Sequence, residues 1–517
     1  MIQSDYKKKM LRCLLIQRVV VFLVLCEYLN RLTKLKGKEQ ENKQETFSYD
    51  AVGNRTRMTM PDGTITNYTY DQNIRLTRIL PAVGQGFDFA YNSLNRRTTL
   101  LYPNGMQTTY TYDAKGDLID IITQKASSAY KQTYQYDKTG NRTSYTEPNA
   151  THTYTYDPTY QLISADHTNI PDENYTYDPV GNRLNTTVDN ANRLTEDQNH
   201  TYQYDNNGNL IQKTHKTTGI ITQYTYDYEN RLIKIALPLG ITAEYKYDPF
   251  GRRIEKNISG QISPRVSLSG ITTKYLYDNE DIITEYTAII PTNTNITTKY
   301  IHGPGIDEPL SMIRNNKTYY YHADALGSIT RMTDQNGNTV QTIKYDTFGN
   351  IKSISNPLII QPYAWTGREF DIESGFYYLR NRYYDLRTGR FISKDPIGFG
   401  GGDVNLFRYV GNGPVNWVDP FGLGPKDKLF GLPKKFWNWY HRQRKEKGDP
   451  DITKEQADEY YQEWKDLGKP RPDDKGKFRI FSFYDLLFEI QQEACRQGLL
   501  SGDIACLPEN QQCPSSI

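Results

Sequence analysis

The sequence predicts a mainly β protein in which one short unit repeats along most of the chain. A Tyr-Asp pair returns about every 21 residues, Tyr and Thr alternate before it, and Asp, Asn and Gly follow it. The pairs begin at Tyr49, Tyr70, Tyr112, Tyr136, Tyr156, Tyr177, Tyr204, Tyr226, Tyr247, Tyr277 and Tyr345, and Tyr91-Asn92 fills one vacant slot. Because a unit this short cannot bury its own apolar face, neighbouring units must stack.

Residues 175–184 show the local pattern of the unit. Tyr175-Thr176-Tyr177-Asp178 has the alternation and the residue types that favour a pleated strand. Pro179-Val180-Gly181-Asn182 suits a turn, since Asp accepts local backbone hydrogen bonds and Gly or Asn tolerates positive φ. Arg183-Leu184 then opens the next strand, so each unit predicts two short antiparallel strands and two tight turns.

The Tyr-Asp pairs are interpreted as core and turn residues. Evenly spaced aromatic side chains also suit a stacking surface for sugars or single-stranded nucleic acid, but that surface needs Lys or Arg beside the rings. The repeats carry Thr, Asn and mixed charge instead. We therefore expect no nucleic-acid binding by the repeats.

Charge and cysteine usage narrow the function classes. The net charge is +2, which excludes a whole-chain polyelectrolyte binder. All five cysteines lie near the ends, at Cys13, Cys26, Cys495, Cys506 and Cys513, so a disulfide framework within the repeats is excluded. The three tail cysteines form one disulfide and leave one thiol, or all stay reduced.

Residues 1–45 do not match the repeat. Lys7-Lys8-Lys9 followed by the apolar stretch Leu11–Cys26 has the outline of an export signal, although Gln17 and Arg18 interrupt it. The alternative is a short amphipathic leader or the remnant of a longer upstream region. The uninterrupted part, Val19–Cys26, is too short to cross a bilayer, so we expect no integral membrane span.

A distinctive block closes the repeat region. It comprises Tyr383-Tyr384-Asp385, Gly389–Gly398, Asn405–Asn412 and Asp419-Pro420-Phe421-Gly422-Leu423. With the Tyr-Asp repeats, this block resembles Rhs/YD-repeat proteins of the polymorphic-toxin type, and residues 317–423 look like the Rhs repeat-associated core domain. We therefore divide the chain into a leader (1–45), YD/Rhs repeats (46–316), a core domain (317–423) and a variable C-terminal domain (424–517), for which we expect a toxin or effector role.

The resemblance implies a spiral β-sheet wound into a shell, closed by the core domain as a plug and carrying a C-terminal toxin. This chain has fewer periods than closed family shells, so we expect a partial or open shell. The implied partners are a cognate immunity protein and a secretion machine, and the implied location is secreted or at the bacterial surface. No cofactor is implied.

The resemblance also implies self-cleavage between Leu423 and Gly424. The matching catalytic residues are Asp395 and Asp419, each in an Asp-Pro-x-Gly motif, with Arg382 upstream. Two carboxylates held close cannot both ionise, so one keeps a proton while the other activates water. Taken without the resemblance, Asp-Pro is an ordinary turn sequence, as at Asp178-Pro179.

No metal site is expected. His322 and Asp324, two apart on a predicted strand, share a face, but a metal site needs more ligands than these two.

The chain beyond Leu423 changes character. Helical spacing of apolar residues, a capping box at Thr453 and Gln456, and stops at Gly468 and Gly498 predict a small, mainly α domain. Lys434–Lys447 is basic and aromatic, which suits either nucleic-acid binding or a solvated helix face. Cys495 with His441 as base is one candidate nucleophile; a buried or disulfide-bonded cysteine is the alternative.

Three functional hypotheses remain. The leading one is a shell that presents a C-terminal effector, freed or retained after self-cleavage. The second is a non-enzymatic surface or adhesive repeat protein whose tail is a terminal cap. The third is a truncated relic, for which unpaired edge strands predict poor solubility.

Overall fold

A computed structural model describes residues 45–424 except 83, 127, 264, 265 and 291. The predicted leader, tail helices, tail cysteines and candidate Cys495–His441 pair lie outside the described residues. Within them, the regular structure is strands and four single-turn 3₁₀ segments. The mainly β prediction is confirmed.

The first large sheet has 13 strands in strictly sequential antiparallel order. They are β1 Thr46–Tyr49, β2 Arg55–Thr59, β3 Ile65–Tyr70, β4 Leu76–Pro81, β5 Phe87–Tyr91, β6 Arg97–Leu101, β7 Gln107–Tyr112, β8 Leu118–Lys125, β9 Ser128–Tyr136, β10 Arg142–Glu147, β11 Ala150–Tyr156, β12 Leu162–His167 and β13 Glu173–Asn174. Each strand pairs only with its neighbours in sequence, as a stacked array of hairpins requires.

The second large sheet continues the pattern with 16 strands. They are β14 Thr187–Val188, β15 Leu194–Glu196, β16 His200–Tyr204, β17 Leu210–His215, β18 Ile221–Tyr226, β19 Leu232–Ala236, β20 Thr242–Tyr247, β21 Arg253–Ser263, β22 Val266–Asp278, β23 Asp281–Ile290, β24 Thr294–His302, β25 Pro309–Arg314, β26 Lys317–Ala323, β27 Ile329–Asp334, β28 Thr339–Tyr345 and β29 Ile351–Ile354.

A small sheet follows, with four strands in sequential order. They are β30 Glu369–Asp371, β31 Phe376–Leu379, β32 Arg382–Asp385 and β33 Arg390–Phe391. The 3₁₀ segments are Pro238–Gly240, Trp365–Gly367, Gly398–Gly401 and Val410–Asn412. Residues 317–354 of the predicted core domain lie in the second large sheet. From here on, the name plug is used only for residues 363–424, which hold the small sheet and its loops.

The Asp of most pairs closes its turn. In the unit 70–76, Asp71 Oδ1 accepts the amide N–H groups of Asn73 (2.9 Å) and Arg75 (3.0 Å), and the Asp71 N–H donates to the Arg75 carbonyl at 3.0 Å. Ile74 lies at φ 61°. The register shifts at Tyr70 as the strand enters the turn. The carboxylate therefore accepts the turn N–H groups that no neighbouring strand pairs with.

The Tyr of several pairs ties successive units together. The Tyr91 hydroxyl donates to the Leu76 carbonyl, 15 residues earlier, at 2.7 Å. The same bond recurs from the hydroxyls of Tyr70, Tyr112, Tyr177 and Tyr247 to the carbonyls of Arg55, Arg97, Leu162 and Leu232. This bond explains Tyr rather than Phe, because a ring without a hydroxyl leaves the carbonyl without that donor.

The three sheets share their buried faces. Phe87 and Tyr102 of the first sheet region pack with Leu310 and Tyr320 of the second. Phe376, Tyr378, Tyr383 and Ile392 of the plug pack into an apolar cluster formed by strands of the second sheet, including Tyr224, Ile235 and Tyr245. The plug is therefore part of the core of the second sheet.

The unit at 175–186 differs from the regular unit that the sequence predicts. Tyr177 makes only an isolated bridge with Arg183, and the two large sheets meet here without a shared strand. The plug fills this gap: Arg390 Nη1 and Asn405 Nδ2 donate to Asn182 Oδ1 at 2.7 and 2.8 Å. The local turn is kept, since the Asp178 N–H donates to the Asn182 carbonyl at 2.9 Å and Asp178 Oδ1 accepts the Asn182 N–H at 2.8 Å. Contacts from residues more than 200 positions away are added where the strand ladder stops.

Candidate functional site

One strand and two loops of the plug bring together Arg382, Asp395 and Asp419. Arg382 is the first residue of β32, which follows a tight turn after Leu379. Asp395 follows β33, and its N–H donates to the Leu406 carbonyl at 2.9 Å. The three side chains are 3%, 5% and 1% exposed, so their charges must compensate one another.

One guanidinium nitrogen joins the two carboxylates. Arg382 Nη2 lies 3.0 Å from Asp395 Oδ2 and 3.4 Å from Asp419 Oδ2. Arg382 Nη1 donates to the Leu406 carbonyl at 3.0 Å, and the guanidinium carbon lies 3.5 Å from the centre of the Phe391 ring. The ring and the carbonyl fix the plane of the guanidinium, so the cation is held between the two acids.

Two buried carboxylates facing one cation leave one negative charge uncompensated. Burial, helped by the nearby Asp419 charge and opposed by Arg382, raises the pKa of Asp395 to about 6. Asp395 therefore holds its proton to a higher pH than an exposed aspartate does. Unequal ionisation of two neighbouring acids is the arrangement that acid–base chemistry needs.

Asp419 receives the peptide on both sides of the predicted cleavage point. The Leu423 N–H donates to Asp419 Oδ1 at 3.0 Å, and the Gly424 N–H donates to Asp419 Oδ2 at 2.8 Å. Both carboxylate oxygens thus act as acceptors, which suits the ionised form. The amide nitrogen of the Leu423–Gly424 bond is in direct contact with an acid.

Gly401 allows Asp395 to approach the same bond. A methyl group on the Gly401 Cα would lie 2.7 Å from Asp395 Oδ2 and 3.6 Å from the Leu423 carbonyl oxygen. Gly424 packs against Gly401 as closely, since a methyl group on Gly424 would lie 2.9 Å from the Gly401 carbonyl oxygen. Asp419 therefore contacts the nitrogen of the Leu423–Gly424 amide, and both Asp395 Oδ2 and the Leu423 carbonyl oxygen lie close to Gly401.

The structure thus brings together all three residues that the sequence analysis proposed as catalytic. Sequence reasoning missed Gly401 and Tyr409, whose hydroxyl accepts the Asp419 N–H at 3.4 Å. Gly401 carried one usable signal: it stands in the run Gly398–Gly402, interrupted only by Phe399.

His322 and Asp324 lie away from this site. His322 Nε2 is 2.8 Å from Thr333 Oγ1, and Asp324 Oδ1 accepts the N–H groups of Leu326 and Ser328. Among the described residues, no group of three or more His, Cys, Asp or Glu side chains is arranged to hold a metal ion. In the same part of the chain, no helix has the length and apolar character to span a bilayer.

The repeat geometry has a counterpart in a known family. Residues 143–412 match the family described as the teneurin YD-shell. The chain belongs to the YD-shell family. The predicted resemblance to Rhs/YD-repeat proteins is confirmed.

Known YD-shell relatives include bacterial toxins. The tRNA nuclease WapA of Bacillus subtilis (strain 168) is 32% identical over 249 residues, which span 46% of this chain and 10% of WapA. The double-stranded DNA deaminase toxin A of Burkholderia cenocepacia (strain H111) is 28% identical over 304 residues, which span 52% of this chain and 20% of that toxin. The chain matches only a small part of each relative.

A solved structure has the same architecture. The crystal structure of TcdB2-TccC3-TEV superposes with a TM-score of 0.58 at 20% identity, covering 73% of this chain and 21% of that one. At this identity the likeness establishes the shell fold.

Proposed function

We propose that this chain is a toxin-type YD shell whose plug cuts the Leu423–Gly424 bond and so separates the shell from a C-terminal effector. One observation carries the proposal: Asp419 accepts the N–H of that bond, and Arg382 joins Asp419 to a second buried aspartate, Asp395. The relatives named as nuclease and deaminase toxins support the effector part.

The proposed reaction is hydrolysis of one amide bond. Protonated Asp395 donates a hydrogen bond to the Leu423 carbonyl oxygen, which makes the carbonyl carbon more electrophilic. The Asp419 carboxylate takes a proton from water as its oxygen attacks that carbon, and then gives the proton to the Gly424 nitrogen as the C–N bond breaks. The products are a Leu423 carboxyl group and a free Gly424 amine, while Arg382 keeps the Asp419 charge stable.

The mechanism predicts that cleavage slows as pH rises. The pKa of Asp395 is raised to about 6, so its proton is present below that pH and is lost above it. Between pH 7 and 8 the rate should fall about tenfold, since one proton is lost per site. Cell-free synthesis with a chase in buffers of pH 6 to 8 measures this rate from newly made full-length chain. A rate that is constant or rises over this range contradicts the role given to Asp395.

The effector part is tested by growth. Residues 424–517 expressed alone, in the cytoplasm or exported to the periplasm, should arrest bacterial growth by one route or the other, and the gene next to the toxin gene should relieve the arrest by supplying an immunity protein. Expression of residues 45–423 is the control and should leave growth unchanged. A tail that is harmless in both compartments would exclude the effector and favour a surface repeat protein.

The proposed setting follows from the same assignment. A shell that delivers an effector needs export, so we assign the chain a secreted or cell-surface location and a secretion machine as partner. The cognate immunity protein would bind the tail.

A further inference from the structure

Three consecutive residues of the plug hold three consecutive carbonyls ahead of the proposed cleavage point. Arg380 Nη1 donates to the Pro420 carbonyl at 2.5 Å, and Asn381 Nδ2 donates to the Phe421 carbonyl at 2.9 Å. Arg382 Nε donates to the Gly422 carbonyl at 2.5 Å. We propose that the turn Arg380-Asn381-Arg382 is a clamp that aligns the bond to be cut, with Arg380 and Asn381 as positioning residues.

The clamp ends one residue before the reacting carbonyl. Pro420, Phe421 and Gly422 are each held through their carbonyl oxygen, whereas the Leu423 carbonyl oxygen is directed toward Gly401. Fixing three successive peptide planes also fixes the orientation of the fourth. The clamp therefore sets the orientation of the Leu423 carbonyl, whose oxygen lies close to Gly401.

Gly422 shows how tightly the segment lies on the turn. Its φ is +66°, and a methyl group on its Cα would lie 2.7 Å from the Leu379 carbonyl oxygen and 3.1 Å from the Arg382 nitrogen. The Asn381 N–H adds a second bond to the Phe421 carbonyl at 3.2 Å. This backbone-to-backbone approach needs a glycine and leaves little freedom of rotation next to the reacting residue.

Arg380 is itself anchored before it reaches the segment. Its Nη2 lies 2.7 Å from Asp307 Oδ1, and its Nε lies 3.6 Å from Glu280 Oε2. Asp307 is also paired with Arg368 at 2.5 Å. Arg380 has φ 59°, a conformation that costs a non-glycine residue on the order of 1 kcal/mol. The surrounding contacts hold it in this conformation, in which the side chain reaches the Pro420 carbonyl.

Positioning has a large effect on an intramolecular reaction. A displacement of about 1 Å between reacting groups slows such a reaction on the order of 100-fold. The described contacts of Arg380 and Asn381 reach neither Asp395 nor Asp419, so replacing either residue removes no contact of the two acids. The inference rests on the proposed self-cleavage, and it adds residues that the two-aspartate scheme does not include.

The test compares cleavage rates of full-length chains in the pulse-chase assay. Asn381→Ala should slow cleavage roughly 10- to 100-fold, with the pH midpoint unchanged, because the acid at Asp395 is untouched. Arg380→Met should act in the same direction, and Arg380→Lys, which keeps one donor, should recover part of the rate. The matched control is Asn209→Ala, which removes a buried amide that bonds Asp205 Oδ2 in a repeat turn.

The outcomes separate the clamp from the cleavage itself. If wild type is cut and Asn381→Ala is cut at the Asn209→Ala rate, the clamp is wrong while the self-cleavage stands. If wild type is never cut, both proposals fall. Should Asn381→Ala not fold, as judged by its urea midpoint against Asn209→Ala, the Arg380→Met and Arg380→Lys pair decides: equal rates at wild-type level exclude the clamp, and a loss restored by Lys supports it.

Discussion

Asp419→Asn is expected to yield a single uncut chain of 59.9 kDa where the wild type yields two fragments, the second beginning at Gly424. The carboxylate that accepts both the Leu423 and Gly424 N–H groups becomes an amide, which cannot accept a proton from water. Loss of a general base slows a reaction roughly 10²- to 10⁴-fold. Intact mass of the purified protein measures the result, and Asp395→Asn should give the same single mass.

The matched control is Asp248→Asn. Asp248-Pro249 is also an Asp-Pro turn, and Asp248 Oδ1 accepts the N–H of Phe250 at 2.9 Å as Asp395 Oδ1 accepts that of Ile397 at 3.0 Å. It lies in the shell and should be cut like wild type. Two fragments from Asp419→Asn, or loss of cleavage in all three variants, would show that the aspartates do not perform the reaction.

Arg253→Met is expected to lower the free energy of unfolding by about 3 kcal/mol, the lower end of the effect of removing one partner of a buried ion pair. The lower end applies because Asp371 keeps Lys256 at 2.8 Å and Glu369 keeps Arg368 at 3.6 Å. Arg253 is 1% exposed and joins β21 to the plug. It pairs with Asp371 and, at 2.9 Å, with Glu369, and its guanidinium lies 4.4 Å from the centre of the Tyr378 ring. Urea unfolding followed by tryptophan fluorescence measures the change, because Trp365 is buried in the plug.

The control for this prediction is Arg78→Met, whose pair with Asp88 at 3.1 Å is 43% and 38% exposed. An exposed pair contributes about 0–1 kcal/mol, so its loss should leave the urea midpoint nearly unchanged. Arg253→Met combined with Asp371→Asn should recover part of the lost stability. Equal midpoints for Arg253→Met and Arg78→Met would mean that the buried network does not hold the plug to the shell.

The repeat region was predictable because its information is local. Asp71 accepts hydrogen bonds from residues two and four positions later, and Tyr91 donates one to a carbonyl 15 residues earlier. The contacts that define a unit therefore lie within a short stretch of sequence. The gap at 175–186 was not predictable. Its sequence follows the repeat, but Arg390 and Asn405 donate hydrogen bonds to Asn182 there. A short sequence pattern cannot predict contacts between residues so far apart in the chain.

The candidate site was predictable only in part. Asp395 and Asp419 were proposed from the family resemblance, since Asp248-Pro249 is locally the same kind of turn. What sets them apart is their burial around Arg382, which depends on packing. Arg380 and Asn381 were missed for another reason. They bind backbone carbonyls, which every residue has, so the residue types at 420–422 do not indicate the contact.

The tyrosine hydroxyls have a consequence for how this protein tolerates change. In the first sheet, β4 and β5 pair at Arg78–Asp88 and Ile79–Phe87, away from the rim where Tyr91 then bonds Leu76. The turns on that rim all have the same length in the first sheet. A longer turn would break the hydrogen bond between the tyrosine hydroxyl and the carbonyl of the preceding unit. In the described part of the first sheet, the opposite rim does not repeat this tyrosine bond. Its connections range in length from the two residues between β10 and β11 to the five between β4 and β5. Longer loops, and the new surface that they expose, are therefore tolerated on the rim that lacks the tyrosine bond.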